Sequence, residues 1–262
     1  MDRGMLLEVR NLSVAYGETT AAEDVSFSLG RGEILVIAGE SGSGKSTILK
    51  AVNGLLGRGA KVSGQILLAG QEVAECSPEK RQKISGERIA MIFQNAGASF
   101  CAVRRVGEQI YESVRASGRG WSRREFRERA EEVMEHIHLD FTALDEYPFR
   151  LSGGMGQRAG ILAAMLLSPT LLLADEPTSA LDAMAQVSVA KELMELRHRH
   201  GVSILMVTHH MGLAWYMADH ILVMRKGRMV EYGTREQIFR ASREDYTREL
   251  IRAVPRLRWK SA

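Results

Sequence analysis

Three short stretches of unbroken apolar sequence, Ile34-Leu35-Val36-Ile37-Ala38, Leu171-Leu172-Leu173-Ala174 and Ile204-Leu205-Met206-Val207, constrain the architecture most. A strand with one wet face alternates apolar and polar residues. A run that is apolar throughout is covered on both faces, as parallel strands sandwiched between helices are. Each run ends in polar residues, where a parallel sheet presents the carboxyl edge at which ligands of open α/β sheets bind. Residues 6–10 and 25–29 alternate instead, as half-buried strands do. From Gln94 to Arg158 the period becomes helical. Ser122 and Glu125 form a capping box, Trp121 and Phe126 are placed as its hydrophobic staple, and Phe126, Ala130, Val133, Met134 and Ile137 repeat along one face. The middle of the chain therefore reads as a helical insertion in an α/β core. Residues 221–224 and 228–232 flank Lys226-Gly227 as a hairpin, and helix returns after about Glu236.

At 45% hydrophobic and 26% charged, the 262 residues bury a sizeable core without disulfides or structural metal. Cys76 and Cys101 are far apart and lack Cys or His neighbours at metal-ligand spacing, which argues for a reducing compartment and against zinc. The start shows no signal-peptide pattern. The longest apolar run, 161–174, is broken by Ser168-Pro169, so any membrane role is peripheral. Arg252, Arg256, Arg258 and Lys260 read as a solvated end rather than a polybasic anchor, and the net charge of +3 gives no sign of a nucleic-acid partner.

Behind the first apolar run stands Gly39-Glu40-Ser41-Gly42-Ser43-Gly44-Lys45-Ser46, which fits G-x-x-x-x-G-K-[ST]. Its glycines let successive N–H groups point inward at phosphate oxygens. Lys45 supplies charge for the β- and γ-phosphates, and the Ser46 hydroxyl suits Mg2+. A helix over residues 46–56 aims its positive end at the same anion. The pattern predicts a site for nucleotide phosphates and Mg2+. The second run ends in Asp175-Glu176, one carboxylate to hold Mg2+ and one to orient or activate the attacking water. Read alone, that pair is equally a polar turn.

Leu151-Ser152-Gly153-Gly154-Met155-Gly156-Gln157-Arg158 resembles the signature sequence of ABC-type ATPases, at that family's spacing ahead of Asp175. Tyr16 is similar to the family's adenine-stacking aromatic, Gln94 to the glutamine at the helical junction, Ser179-Ala180-Leu181-Asp182 to the loop after the acidic strand, and His209 to the switch histidine. The resemblance spans most of the chain. It implies a P-loop NTPase of the ABC type: an α/β core with a mostly parallel sheet, an N-terminal antiparallel β subdomain and an inserted helical subdomain. Residues 1–93 and 159–240 would form the core, 94–158 the helical subdomain and 241–262 a tail, within one domain.

The implied cofactors are ATP and Mg2+. The implied catalytic residues are Glu176, His209, Lys45 and Gln94, and the metal-holding residues Ser46, Gln94 and Asp175. Nucleotide would be bound by Tyr16, Gly39, Ser41, Gly42, Ser43, Gly44, Lys45, Ser46 and Thr47, with Ser152, Gly153, Gly154 and Asp182. Residues 152–154 open a helix, so the chain has two anion-binding ends for one nucleotide loop. The family accounts for this by head-to-tail pairing, each signature closing on its partner's ATP.

Tyr147-Pro148-Phe149-Arg150, Ala174 to Thr178 and the closing Tyr246-Thr247-Arg248 look like the oligopeptide, dipeptide and nickel importer branch. That likeness implies two integral-membrane permeases, a second ATPase subunit that is a paralogue rather than a second copy, and an extracytoplasmic substrate-binding protein acting indirectly. It places the chain peripherally on the cytoplasmic face of the bacterial inner membrane. The cargo would be peptides or nickel/cobalt chelates. The alternative is a soluble accessory ATPase of an enzyme complex, of the carbon–phosphorus lyase type. Asn95-Ala96 departs from the branch's usual Asp-Pro, Phe100-Cys101-Ala102 from an expected Asn-Pro or Asp-Pro pair, Gly156 from a longer residue, and His210 from the usual Asp.

Overall fold

The computed structural model describes residues 4–73, 84, 88–179, 181 and 183–254. Asp182 and Ala180, Cys76, and the basic residues beyond Val254 lie outside the described residues.

The described strands form one ten-stranded sheet in the order β5-β4-β1-β2-β10-β9-β3-β8-β7-β6. Its first part is antiparallel: β1 (Met5–Tyr16) pairs with β2 (Thr19–Gly30) and with β4 (Ala60–Leu68), and β4 pairs with the short β5 (Gln71–Glu72). Its second part is parallel through β6 (Ile89–Ile92), β7 (Leu171–Asp175), β8 (Ser203–Thr208), β3 (Ile34–Ala38) and β9 (His220–Arg225). The joining strand is β10 (Arg228–Thr234), antiparallel to β9 and parallel to β2.

The all-apolar runs are buried at every position of β3, β7 and β8. Their side chains alternate between two cores. Ile34, Val36, Leu172, Ala174, Ile204 and Met206 face the helical side. Leu35, Ile37, Leu171, Leu173, Leu205 and Val207 face the antiparallel part and α1 (Lys45–Asn53). Period two therefore survives within sequence that shows none, because both faces are apolar.

The helical segment comprises a 3-10 turn at Ala96–Ser99, α2 (Val106–Ala116), α3 (Arg123–His136), further 3-10 turns at Phe141–Leu144 and Pro148–Arg150, and α4 (Gly153–Leu166). Val106, Ile110, Phe126, Ala130 and Met134 share one buried cluster with the parallel strands. The Ser122–Glu125 capping box is present. Phe126 packs on Tyr111 with ring centroids 5.2 Å apart, while Trp121 carries the guanidinium groups of Arg119 and Arg129. Helices α5 (Ala183–His200), α6 (Met211–Met217), α7 (Arg235–Ala241) and α8 (Asp245–Arg252) follow. No described helix is long and apolar enough to cross a membrane.

Candidate functional site: a phosphate loop beside a held carboxylate

The turn leaving β3 fits only glycine at two points. Gly39 has φ +148°, and a Cβ there would sit 2.2 Å from the Met224 carbonyl oxygen; Gly44 has φ +96°, and its Cβ would sit 2.2 Å from the Ala21 carbonyl oxygen. The loop is thus pressed between two strands' backbones. Gly42 also has positive φ, and Ser41 and Gly42 stay open to solvent while Ser43 is buried. Helix α1 begins at Lys45, and the Thr47 and Ile48 amides donate to the Gly44 carbonyl.

Lys45 is only 4% exposed, and its ammonium donates to the carbonyls of Gly39 (2.9 Å) and Glu40 (2.6 Å). Burial lowers its pKa, against the opposing pull of the Glu176, Asp175 and Glu40 carboxylates. The Ser46 hydroxyl donates to Oδ1 of Asp175 at 2.7 Å, joining the loop to the end of β7. Burial raises the Asp175 pKa, and the Ser46 hydrogen bond opposes the rise. A hydroxyl and a carboxylate side by side are the hard oxygen donors that Mg2+ takes, with water and phosphate oxygens supplying the rest. The residues present therefore fit Mg2+ with ATP.

Glu176 follows with φ +44°, its amide donating to the Val207 carbonyl of β8. Its carboxylate is held on both sides. Gln94 Nε2 donates to Oε2 at 3.2 Å, and His209 Nδ1 lies 3.1 Å from Oε1, donating when that nitrogen carries the proton. Residues from the ends of β6, β7 and β8 so converge on one carboxylate. His210 packs on His209 with centroids 4.1 Å apart and the rings tilted by 38°, and burial, then the neighbouring His209, lowers its pKa.

Lys45, Ser46, Asp175, Glu176, Gln94 and His209 thus form one cluster. Among the described residues, no hydrogen bond, ion pair or ring contact joins it to Tyr16 or to residues 152–154. Tyr16 ends β1 at 37% exposure. Ser152 caps α4, its hydroxyl accepting from the Met155 amide, so the helix takes in both signature glycines, two residues earlier than its apolar pattern begins. Ser152 and Gly153 are exposed, and a Cβ on Gly154 would touch only Leu181.

The departures in this segment fit one another. Asn95 caps the 3-10 turn through the Ala98 amide. That turn lies against α4 so closely that a Cβ on Gly156 would stand 3.0 Å from the Gly97 Cα, and one on Gly160 would stand 2.3 Å from the Ala96 Cβ. The buried Gln157 accepts from the Ala96 amide at 3.4 Å. Gly156 costs helix propensity but allows this contact.

Two supports of the loop carry no local sequence signal. The Lys226-Gly227 turn, with positive φ at both residues, brings the Gly227 amide to the Ser43 carbonyl at 3.1 Å. The Tyr246 hydroxyl accepts from the Glu40 amide at 3.2 Å. Each joins positions remote in sequence.

Residues 22–179 match the family model described as ABC transporter. The dipeptide transport ATP-binding protein DppD of Lactococcus lactis subsp. cremoris is 38% identical over 257 residues, covering 95% of this chain and 74% of that protein. The glutathione import ATP-binding protein GsiA of Escherichia coli K12 is 40% identical over 98% of this chain, which spans only 43% of GsiA's length. Among solved structures, the dimeric post-hydrolysis state of the ATP-binding cassette MJ0796 bound to ADP and Pi superposes with a TM-score of 0.79 at 26% identity, over 87% of this chain and 98% of that one. This chain belongs to the ABC transporter family, as an ATP-binding and ATP-hydrolysing subunit.

Proposed function

We propose that the chain energises import of peptides from the cytoplasmic face of a bacterial inner membrane. It would work head to tail with a second, paralogous ATPase subunit beneath two membrane permeases, which receive cargo from an extracytoplasmic binding protein. The observation that carries the chemistry is Glu176, held between Gln94 and His209 beside the Lys45 loop. The peptide cargo is supported by the dipeptide and glutathione import relatives.

In this reading Lys45, Ser46, Thr47 and the loop amides hold the phosphates, and Tyr16 stacks on the base. Ser46, Asp175 and Gln94 hold the ion. Mg2+, when bound, neutralises charge developing on the phosphate oxygens. Glu176 accepts a proton from the attacking water, and His209 keeps that carboxylate aimed. Ser152, Gly153, Gly154 and Asp182 serve the partner's nucleotide. Residues 94–158 act as the helical subdomain that carries the signature between the two halves of the core. The test is mass spectrometry of what co-purifies with the tagged chain from gently solubilised native membranes. Two multi-span permeases and a second ATPase are expected. A soluble assembly without permeases would overturn the importer reading and leave the nucleotide chemistry standing.

A further inference from the structure

The peptide joining Gly39 to Glu40 is gripped on both edges. Its carbonyl accepts from the Lys45 ammonium at 2.9 Å, and its N–H donates to the Tyr246 hydroxyl at 3.2 Å. A peptide unit is planar, so holding both edges fixes its orientation. Polarisation of the carbonyl by the ammonium also strengthens the N–H as a donor.

The tyrosine is itself fixed. The residue is 6% exposed, and its ring lies beneath the Arg225 guanidinium, 4.5 Å from the centroid. The turn entering α8 is tied to β10 through Glu231, which accepts from the Ser242 hydroxyl (2.6 Å) and the Arg243 amide (3.0 Å). Burial raises the phenol's pKa, so the hydroxyl stays protonated at neutral pH.

We propose that Tyr246 is a positioning residue for ATP binding: its hydroxyl holds the first peptide of the phosphate loop in the orientation from which Lys45 meets the phosphates. The inference rests on residues 39–46 being the ATP loop. The amide sits two links from the ligand, so the effect falls on nucleotide affinity and leaves the Glu176 chemistry alone.

The test compares Tyr246→Phe with the wild type and with Thr247→Val. The first keeps the ring and its stacking but removes the acceptor. Thr247 is fully buried one residue along the same helix, and among the described residues its hydroxyl has no hydrogen-bond partner, so the valine perturbs packing without reaching the loop. The readouts are the dissociation constant of a fluorescent ATP analogue with Mg2+, kcat at saturating ATP, and the thermal midpoint. For Tyr246→Phe we expect affinity about fivefold weaker, kcat within about twofold and a midpoint lowered by only about 2–4 °C, with Thr247→Val binding like the wild type. Equal affinity in Tyr246→Phe, or an equal loss in Thr247→Val, would overturn the proposal while leaving the ATP site intact. Failure of the wild type to bind the analogue would instead overturn the ATP-site reading, and this inference with it.

Discussion

Oε1 of Glu176 lies 3.1 Å from Nδ1 of His209, and the other oxygen of that carboxylate accepts from Gln94 at 3.2 Å. With both oxygens engaged, the side chain points one way at the end of β7. Glu176→Gln retains shape and one acceptor but cannot take the water's proton. Phosphate release should fall roughly 100- to 1000-fold while ATP stays bound. Rapid-quench turnover alongside filter retention of labelled ATP checks this, and multiple turnover at the wild-type rate would remove Glu176 from the role.

Gly44→Ala places a methyl 2.2 Å from the Ala21 carbonyl oxygen at a backbone angle of φ +96°. Strand backbone cannot yield as a side-chain tip can. We expect a loss of about 1–3 kcal/mol in stability together with loss of nucleotide binding. Chemical denaturation and fluorescent-nucleotide titration measure the two effects, and a variant that binds normally would contradict the packed loop described above.

Gly160→Ala opposes local preference to tertiary contact. Helix propensity favours alanine by about 0.8–1 kcal/mol, but the new Cβ would meet the Ala96 Cβ at 2.3 Å. Overpacking costs roughly 1–3 kcal/mol, so the variant should be less stable, read as a lower urea midpoint at constant slope. A rise in the midpoint would show that the turn at 96–99 does not press on α4.

Glu192 provides a pH signature away from the nucleotide. It is 6% exposed; Oε1 is 3.5 Å from Arg158 and accepts from Ser188, while among the described residues Oε2 has no hydrogen-bond partner. Burial raises its folded pKa above 4.5, outweighing the lowering by Arg158. Between 4.5 and that raised value the native state keeps a proton the unfolded chain has released, so this group's contribution to stability falls as pH rises through the window. Glu192→Gln should lose that slope, its stability gaining on the wild type as pH increases from 4.5. Arg158, which keeps its hydrogen bonds to the His138 carbonyl and the Ser188 hydroxyl, adds only a constant offset. Paired denaturation curves across pH decide it, and parallel profiles would exclude the titration.

The parallel strands were legible because burial on both faces writes an unbroken apolar run. The phosphate loop was legible because its chemistry demands glycines at fixed spacing. Gln94, Glu176 and His209 were singled out through family resemblance, since alone they read as a surface amide, part of a polar turn and the polar end of a strand. Tyr246 and Gly227 were not legible as supports of the loop. Their partners, Glu40 and Ser43, lie far away in sequence, and a hydrogen bond between a hydroxyl and a distant amide leaves no periodicity behind. Gly156 likewise read only as a departure from a longer residue, costly within a helix, and the turn at 96–99 that lies against it left no mark in the local sequence.

Glu176 occupies a left-handed backbone conformation that a side chain enters at a cost of about 1–2 kcal/mol and glycine enters freely. Selection for the folded state alone would therefore place glycine at this corner. In the proposed mechanism the chain retains a residue that serves turnover rather than endurance, and a Glu176→Gly protein, relieved of that backbone cost but deprived of the Gln94 and His209 contacts, should unfold near its parent's temperature while doing none of its work.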